Sequence, residues 1–319
     1  MGENTIEIAK EVIAPGQLRR FEIPVGRLPT QTLLSLPVTV VNGIEAGPRL
    51  WLSAAIHGDE LNGVEIIRQV LTKIQPDQLH GTLIAVPIVN VFGFIDQSRY
   101  LPDRRDLNRS FPGSETGSLA SRLAYLFMRE IVNHSTHGID LHTAAIHRLN
   151  LPQIRANLED KETNRCAKAF GAPIVMHATM RDGSLRQAAT KQGIPVLLYE
   201  AGEALRFDRQ AIRIGAEGIL RVMECLDMHQ FPFLPPPTPS VEVRESKWIR
   251  AGRGGIFHLE VNLGEKVSKK QQLGFITDAF GENSLSVRAI YNGIVIGCTQ
   301  NPLVNQGDAI VHLAVVERE

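Results

Sequence analysis

The chain has 319 residues, 43% apolar and 21% charged, and its 34 basic side chains are balanced by 34 acidic ones. A chain with no net charge and no long run of one sign gives no footing for a nucleic-acid groove or an anionic membrane surface, so the expected partner is a small molecule. No apolar run approaches the roughly 18 residues of a membrane span, and residues 1–17 carry no apolar stretch behind positive charge, so a cytoplasmic location is expected.

Residues 5–45 hold short alternating segments broken by Gly16, Pro24, Pro29 and Pro37, which predict an antiparallel entry region. From Pro48 onward, brief apolar runs at 50–56, 82–91, 138–141, 173–178 and 195–199 read as buried strands. Helical periods separate most of them. Val64, Ile67, Val70, Leu71 and Ile74 form one stripe and Leu119, Leu123, Leu126, Phe127 and Ile131 another, and a third helix is predicted over 208–228. Fully apolar strands alternating with helices predict an α/β fold, a mixed and mostly parallel sheet with helices on both faces. Sites in such sheets lie beyond the carboxyl ends of the strands.

Five prolines within residues 232–239 predict a stiff linker at 231–240, separating a catalytic domain at 1–230 from a second domain at 241–319. The second domain is punctuated by glycine and loosely repeats itself, Gly255-Ile256 with Gly264-Glu265 against Gly293-Ile294 with Gly307-Asp308, which predicts a small all-β barrel or sandwich. It resembles the biotinyl/lipoyl-like barrel, but the turn Thr277-Asp278-Ala279 lacks the lysine that such carriers modify. Its expected role is structural, packed on the first domain or on a neighbouring subunit of a homo-oligomer. Cys166, Cys225 and Cys298 lie far apart with no Cys-x-x-Cys pair, and read as reduced thiols.

Three segments carry chemistry. His57 and Glu60 follow the first strand and precede the first helix, where two ligands of one metal ion can be aimed together. Alone, a His-x-x-Glu is more often a helix-start acid beside a surface histidine. His142 ends a second apolar run, and Asp140, two residues earlier on the same strand face, is placed to orient its ring. Glu200 closes a third run, and a carboxylate at the end of a buried strand is costly unless it is paired or used. Between the ligands lie four arginines in eleven residues, Arg99, Arg104, Arg105 and Arg109, side chains suited to gripping a carboxylate or an oxyanion. By position, His147 and His177 also stay open as site residues.

Taken in order, His57-x-x-Glu60, Asp106-Leu107-Asn108-Arg109, Asp140-Leu141-His142-Thr143 and Glu200 before Ala201-Gly202 resemble the succinylglutamate desuccinylase/aspartoacylase family, a branch of the zinc carboxypeptidase fold. The resemblance spans about residues 45–230. It implies one zinc ion on His57, Glu60 and His142, Glu200 as the general base, and Asn108 with Arg109 holding a substrate carboxylate. Arg99 matches the arginine that supports the oxyanion, with Arg105 as the alternative, and Arg186 resembles a further substrate-reading arginine. The implied activity is hydrolysis of the amide bond of an N-acyl amino acid or related small amine. A carboxypeptidase acting on short peptides and a non-catalytic metal-binding module are the alternatives, and two imidazoles with a carboxylate also suit Fe, Co or Mn.

Overall fold

The computed structural model describes residues 4–178, 181–237 and 239–316. Strands β1 (Ile6–Ile8) and β2 (Glu11–Ile13) pair with each other, and β3 (Gln17–Arg27) forms a long hairpin with β4 (Leu33–Asn42), all antiparallel. Next come β5 (Glu45–Ala54), α1 (Asn62–Leu71), β6 (His80–Val86), α2 (Val91–Ile95), α3 (Leu119–Glu130), β7 (His137–Ala144) and β8 (Arg148–Ala156). They are followed by α4 (Lys161–Phe170), β9 (Ile174–His177), α5 (Leu185–Lys191), β10 (Val196–Glu203) and α6 (Arg209–Cys225). The C-terminal segment is all strand: β11 (Val241–Val243), β12 (Ser246–Arg250), β13 (Gly255–Leu259), β14 (Lys266–Val267), β15 (Gln272–Thr277), β16 (Ser284–Arg288), β17 (Gly293–Thr299), β18 (Leu303–Val304) and β19 (Ala309–Val315).

Four strands in the order β6-β5-β7-β10 run parallel at the centre of a 13-stranded sheet. These are the expected apolar strands, and Leu50, Trp51, Leu52 and Ala54 of β5 are wholly buried. Strands buried on both faces need cover on both. One face is covered by Ile66, Ile67 and Val70 of α1 with Phe170 of α4 and Ile219 and Met223 of α6. The other is covered by Leu123 and Phe127 of α3 with Leu185 and Ala189 of α5. Each of these side chains larger than alanine contributes about 1.5–3 kcal/mol on full burial.

The run at 82–91 ends as a strand at Val86, because Asn90 caps α2 by accepting from the Gly93 amide at 2.9 Å. Three elements lay outside the apolar pattern. β8 is interrupted by Asn150, Gln153 and Arg155, and α4 and α5 are short helices with thin apolar stripes, started by Asp160 and Ser184. The proline-rich segment packs on the helical layer: Arg221 donates to the Pro235 carbonyl at 3.1 Å, and Phe231 and Leu234 join the core.

The C-terminal segment does more than lean on this body. β17 pairs with β8, and β19 and β12 follow, so one sheet runs unbroken from β3 to β12. β16, β15, β13 and β18 form a second, antiparallel sheet of four strands. Leu273, Ile276, Val311 and Leu313 lie in the core that the segment encloses. Among the described residues, no helix is long and apolar enough to cross a membrane.

Candidate active site

The carboxyl ends of β5, β7 and β10 lie side by side, with Ala54 opposite Leu141 and His142 opposite Glu200. The chain leaves β5 through Ala55, whose φ of 50° turns it sharply out of the strand. Gly58 then passes so close to α2 that a Cβ would fall 2.0 Å from the Gly93 carbonyl carbon, so only glycine lets the loop fold down. His57 and Glu60 are thereby aimed at His142.

All three side chains are buried, and one donor atom from each lies within 4.8 Å of the other two. Glu60 sits between the rings, with Oε1 2.7 Å from His57 Nδ1 and Oε2 2.7 Å from His142 Nδ1. A second carboxylate orients each ring from behind. Asp106 Oδ1 lies 3.2 Å from His57 Nε2, and Asp140 Oδ2 lies 2.8 Å from His142 Nε2. Ser53 fixes Asp140 in turn by donating to its other oxygen at 2.8 Å. Such outer carboxylates are the usual partners of metal-ligating imidazoles.

Burial opposes charge on His57, yet Glu60 and Asp106 outweigh it and raise its pKa. Burial is likewise overcome at His142, by Asp140 and Glu60, and its pKa lies well above the usual imidazole range. Burial also works against ionised Glu60, but the two imidazoles hold its carboxyl far below the usual carboxylate range. The three carboxylates Glu60, Asp106 and Asp140 surround the imidazoles with negative charge, which favours a bound cation. Two imidazoles and a carboxylate whose donor atoms lie this close together would suit a zinc ion, with a further position left for water.

Arg99 approaches from the loop after α2, with Nη1 3.3 Å from His57 Nδ1 and 3.5 Å from Glu60 Oε1, and Nη2 3.0 Å from Asp106 Oδ2. Arg105 is exposed beside Asp103, at 3.5 Å, and is not part of the cavity wall. Asp106 accepts from the Asn108 amide at 2.8 Å, which forms the short turn Leu107–Arg109 and brings Asn108 and Arg109 to the cavity. Arg186, in the first turn of α5, is buried on the same wall, and burial together with Arg155 pushes its pKa down to about 10. Glu200 accepts from Asn150 Nδ2 at 2.7 Å and faces Arg155 at 3.3 Å. His147 is exposed and outside the cavity wall, whereas His177 lines it and accepts from the Leu158 amide at 3.2 Å.

The cavity these residues enclose has a volume of about 570 Å³. Among the described residues, seven arginines face it against two acids, Glu60 and Glu200. Sequence reasoning missed Asn150 and Arg155, which hold Glu200, and Arg148, Trp248 and His312, which close the far side. Polar residues inside strand β8 were the available signal.

Residues 46–226, more than half of the chain, match the succinylglutamate desuccinylase/aspartoacylase catalytic domain. The chain belongs to that family. It is 28% identical over 295 residues to the N-alpha-acetyl-L-2,4-diaminobutyric acid deacetylase of Halomonas elongata, covering 88% of this chain and 86% of the relative. It superposes on a succinylglutamate desuccinylase/aspartoacylase from Rhodobacter sphaeroides with a TM-score of 0.83 and 25% identity, covering 94% and 97% of the two chains. A metallopeptidase from Shewanella denitrificans shares the fold over 66% of this chain and 85% of its own, with a TM-score of 0.50 and 14% identity.

Proposed function

We propose that this family member is a zinc-dependent amidohydrolase that removes the acyl group from an N-acyl amino acid or related small amine. The observation that carries the proposal is the meeting of His57, Glu60 and His142 next to Glu200 on the adjacent strand. Those three side chains would hold a zinc ion, which would supply polarisation of a carbonyl and a water whose pKa is lowered towards about 7.

The remaining work falls to the chain. Glu200, held by Asn150 and Arg155, takes the proton of the attacking water and returns it to the amine nitrogen as the C–N bond breaks. Arg99 reaches over the ligands and donates to the oxyanion that develops on the carbonyl. Asn108 and Arg109, with Arg186, fix the free carboxylate and set the amide beside Glu200. The products are an acid and a free amine. Metal analysis of the purified chain, together with amine release from a panel of N-acyl amino acids and dipeptides, tests the reading. Amine release from acyl amino acids in proportion to bound zinc is expected, and zinc at full occupancy with no hydrolysis of any acyl amino acid overturns it.

A further inference from the structure

A second cluster of metal-ligating side chains lies at the opposite end of strand β7. His137 opens that strand and His142 stands near its close, so the two imidazoles are separated by about 17 Å along it. Beside His137, α4 supplies Glu162 and Cys166, which share one helix face because they are four residues apart. His137 Nε2 lies 3.2 Å from Glu162 Oε1, and Cys166 Sγ lies 4.0 Å from the same oxygen. One donor atom from each of the three lies within 4.8 Å of the other two. Bonds of about 2.0–2.3 Å to nitrogen, oxygen and sulfur place two ligands of one zinc ion no more than about 4.5 Å apart. Both contacts to Glu162 fall inside that limit.

The side chains are already held from behind. Thr136 Oγ1 lies 2.9 Å from His137 Nδ1 and donates to the Arg49 carbonyl at 3.2 Å. A hydroxyl that spends its one proton on Arg49 accepts from the Nδ1 proton, and the Nε2 lone pair then faces Glu162. Two acceptors facing each other at 3.2 Å call for a cation between them. Arg165 grips Glu162 as a fork, donating from Nε to Oε2 at 3.0 Å and from Nη2 to Oε1 at 2.6 Å. It takes only part of the four lone-pair sites of a carboxylate, so it fixes Glu162 and leaves room for an ion. The same guanidinium donates to the Cys225 sulfur at 3.0 Å and ties the end of α6 to the cluster. Cys166 is buried, whereas His137 and Glu162 are half-buried and leave a way in from solvent.

We propose that His137, Glu162 and Cys166 form a second metal site, one that takes a zinc-class divalent ion and lies apart from the cavity. A thiolate and an imidazole beside a single carboxylate suit zinc or cobalt, whereas calcium and magnesium take oxygen ligands. Binding releases the Cys166 proton to solvent, and the thiolate and the Glu162 carboxylate then balance the charge of the ion. An ion held there joins the start of β7 to α4, so it stabilises the folded chain by mass action.

Titration of the full, metal-stripped chain with cobalt(II), kept reduced with a phosphine, tests the site. A thiolate bound to cobalt gives a near-ultraviolet charge-transfer band, which His57, Glu60 and His142 cannot give. Two ions per chain are expected, one at each cluster, with the band present. Cys166→Ser is expected to lose one ion and the band, and His142→Ala to lose one ion and keep the band. Should Cys166→Ser fail to fold, His137→Ala is expected to lose the band at cobalt concentrations that saturate the wild type.

The second measurement is thermal. In the His142→Ala background zinc is expected to raise Tm, and adding Glu162→Gln or Cys166→Ser is expected to abolish the rise. A saturated wild type without the band, a band that survives both Cys166→Ser and His137→Ala, or a rise in Tm that survives Cys166→Ser overturns the second site. A single ion per chain that carries the band, with none bound at His142, overturns the catalytic metal reading and keeps this one.

Discussion

The two sides of the cavity follow opposite electrostatic plans. On one side, Glu60, Asp106 and Asp140 surround two imidazoles, and all of these but Asp106, which comes from the loop after α2, stand at the end of a parallel strand or in the short loop just beyond it. On the other, arginines and an aromatic pair are spread over the antiparallel extension of the same sheet. Parallel strand ends converge, so they suit groups that must meet at one atom. The extension widens the wall, and it suits groups that read the rest of a ligand. The comparison assigns the reaction to the first side, and the variants that follow can break that assignment.

The largest effect is expected from removing a ligand. His142→Ala leaves two donors where three are needed, so bound metal measured on the purified protein falls by one ion per chain and activity goes with it. An unchanged metal content would move the catalytic site elsewhere. Glu200→Gln is expected to keep the metal and lose turnover by about 10²–10⁴-fold, the usual contribution of a positioned proton carrier. Near wild-type turnover in that variant would remove Glu200 from its role. Together the two variants separate holding the ion from moving the proton, a division that lies wholly on the acidic side.

That side was also the legible one. His57, Glu60, His142 and Glu200 each end or follow a strand whose apolar run announces itself, and of the two carboxylates behind the rings Asp140 stands in the same short motif as His142. Asp140 could be assigned as a ring partner by strand alternation alone. Asp106 was visible in its motif, but its reach to His57 depends on how the loop from Arg99 to Arg109 folds back, and no periodicity encodes that. The far wall was hidden for a different reason. β8 mixes Asn150, Gln153 and Arg155 with apolar residues because Asn150 and Arg155 line the cavity, so it does not read as a buried strand. The docking of β17 on β8 is a contact between residues about 150 positions apart in the chain, Asn150 with Gly297. Only the assembled sheet shows that Trp248 faces the same cavity as His57.

A smaller effect tests the support behind a ligand. Asp140→Asn keeps the shape of the side chain and removes its charge behind His142, so zinc affinity measured by chelator competition is expected to fall about 10–100-fold. The fold is expected to persist, because Ser53 can still donate to the remaining carbonyl oxygen. Unchanged affinity would mean that Glu60 alone orients the ring.

The smallest expected effect lies where the two sides meet. Gly297 has no side chain where β17 passes β8, and a Cβ there would stand 2.8 Å from Asn150 Oδ1. Asn150 is the donor that holds Glu200, so Gly297→Ala presses on the proton carrier from the antiparallel side of the sheet. Overpacking of this kind costs about 1–3 kcal/mol where nothing can move. The carboxamide can yield by a few tenths of an ångström, which places the loss near the lower end and shifts Glu200 with it. A fall in kcat of several-fold with unchanged zinc content is the expected outcome. Asn150→Ala also weakens the hold on Glu200, but combined with Gly297→Ala it removes the atom that is crowded, so the two losses are expected to be less than additive. Full additivity would show that the C-terminal strands act on the ligand alone and have no grip on the residue that moves the proton.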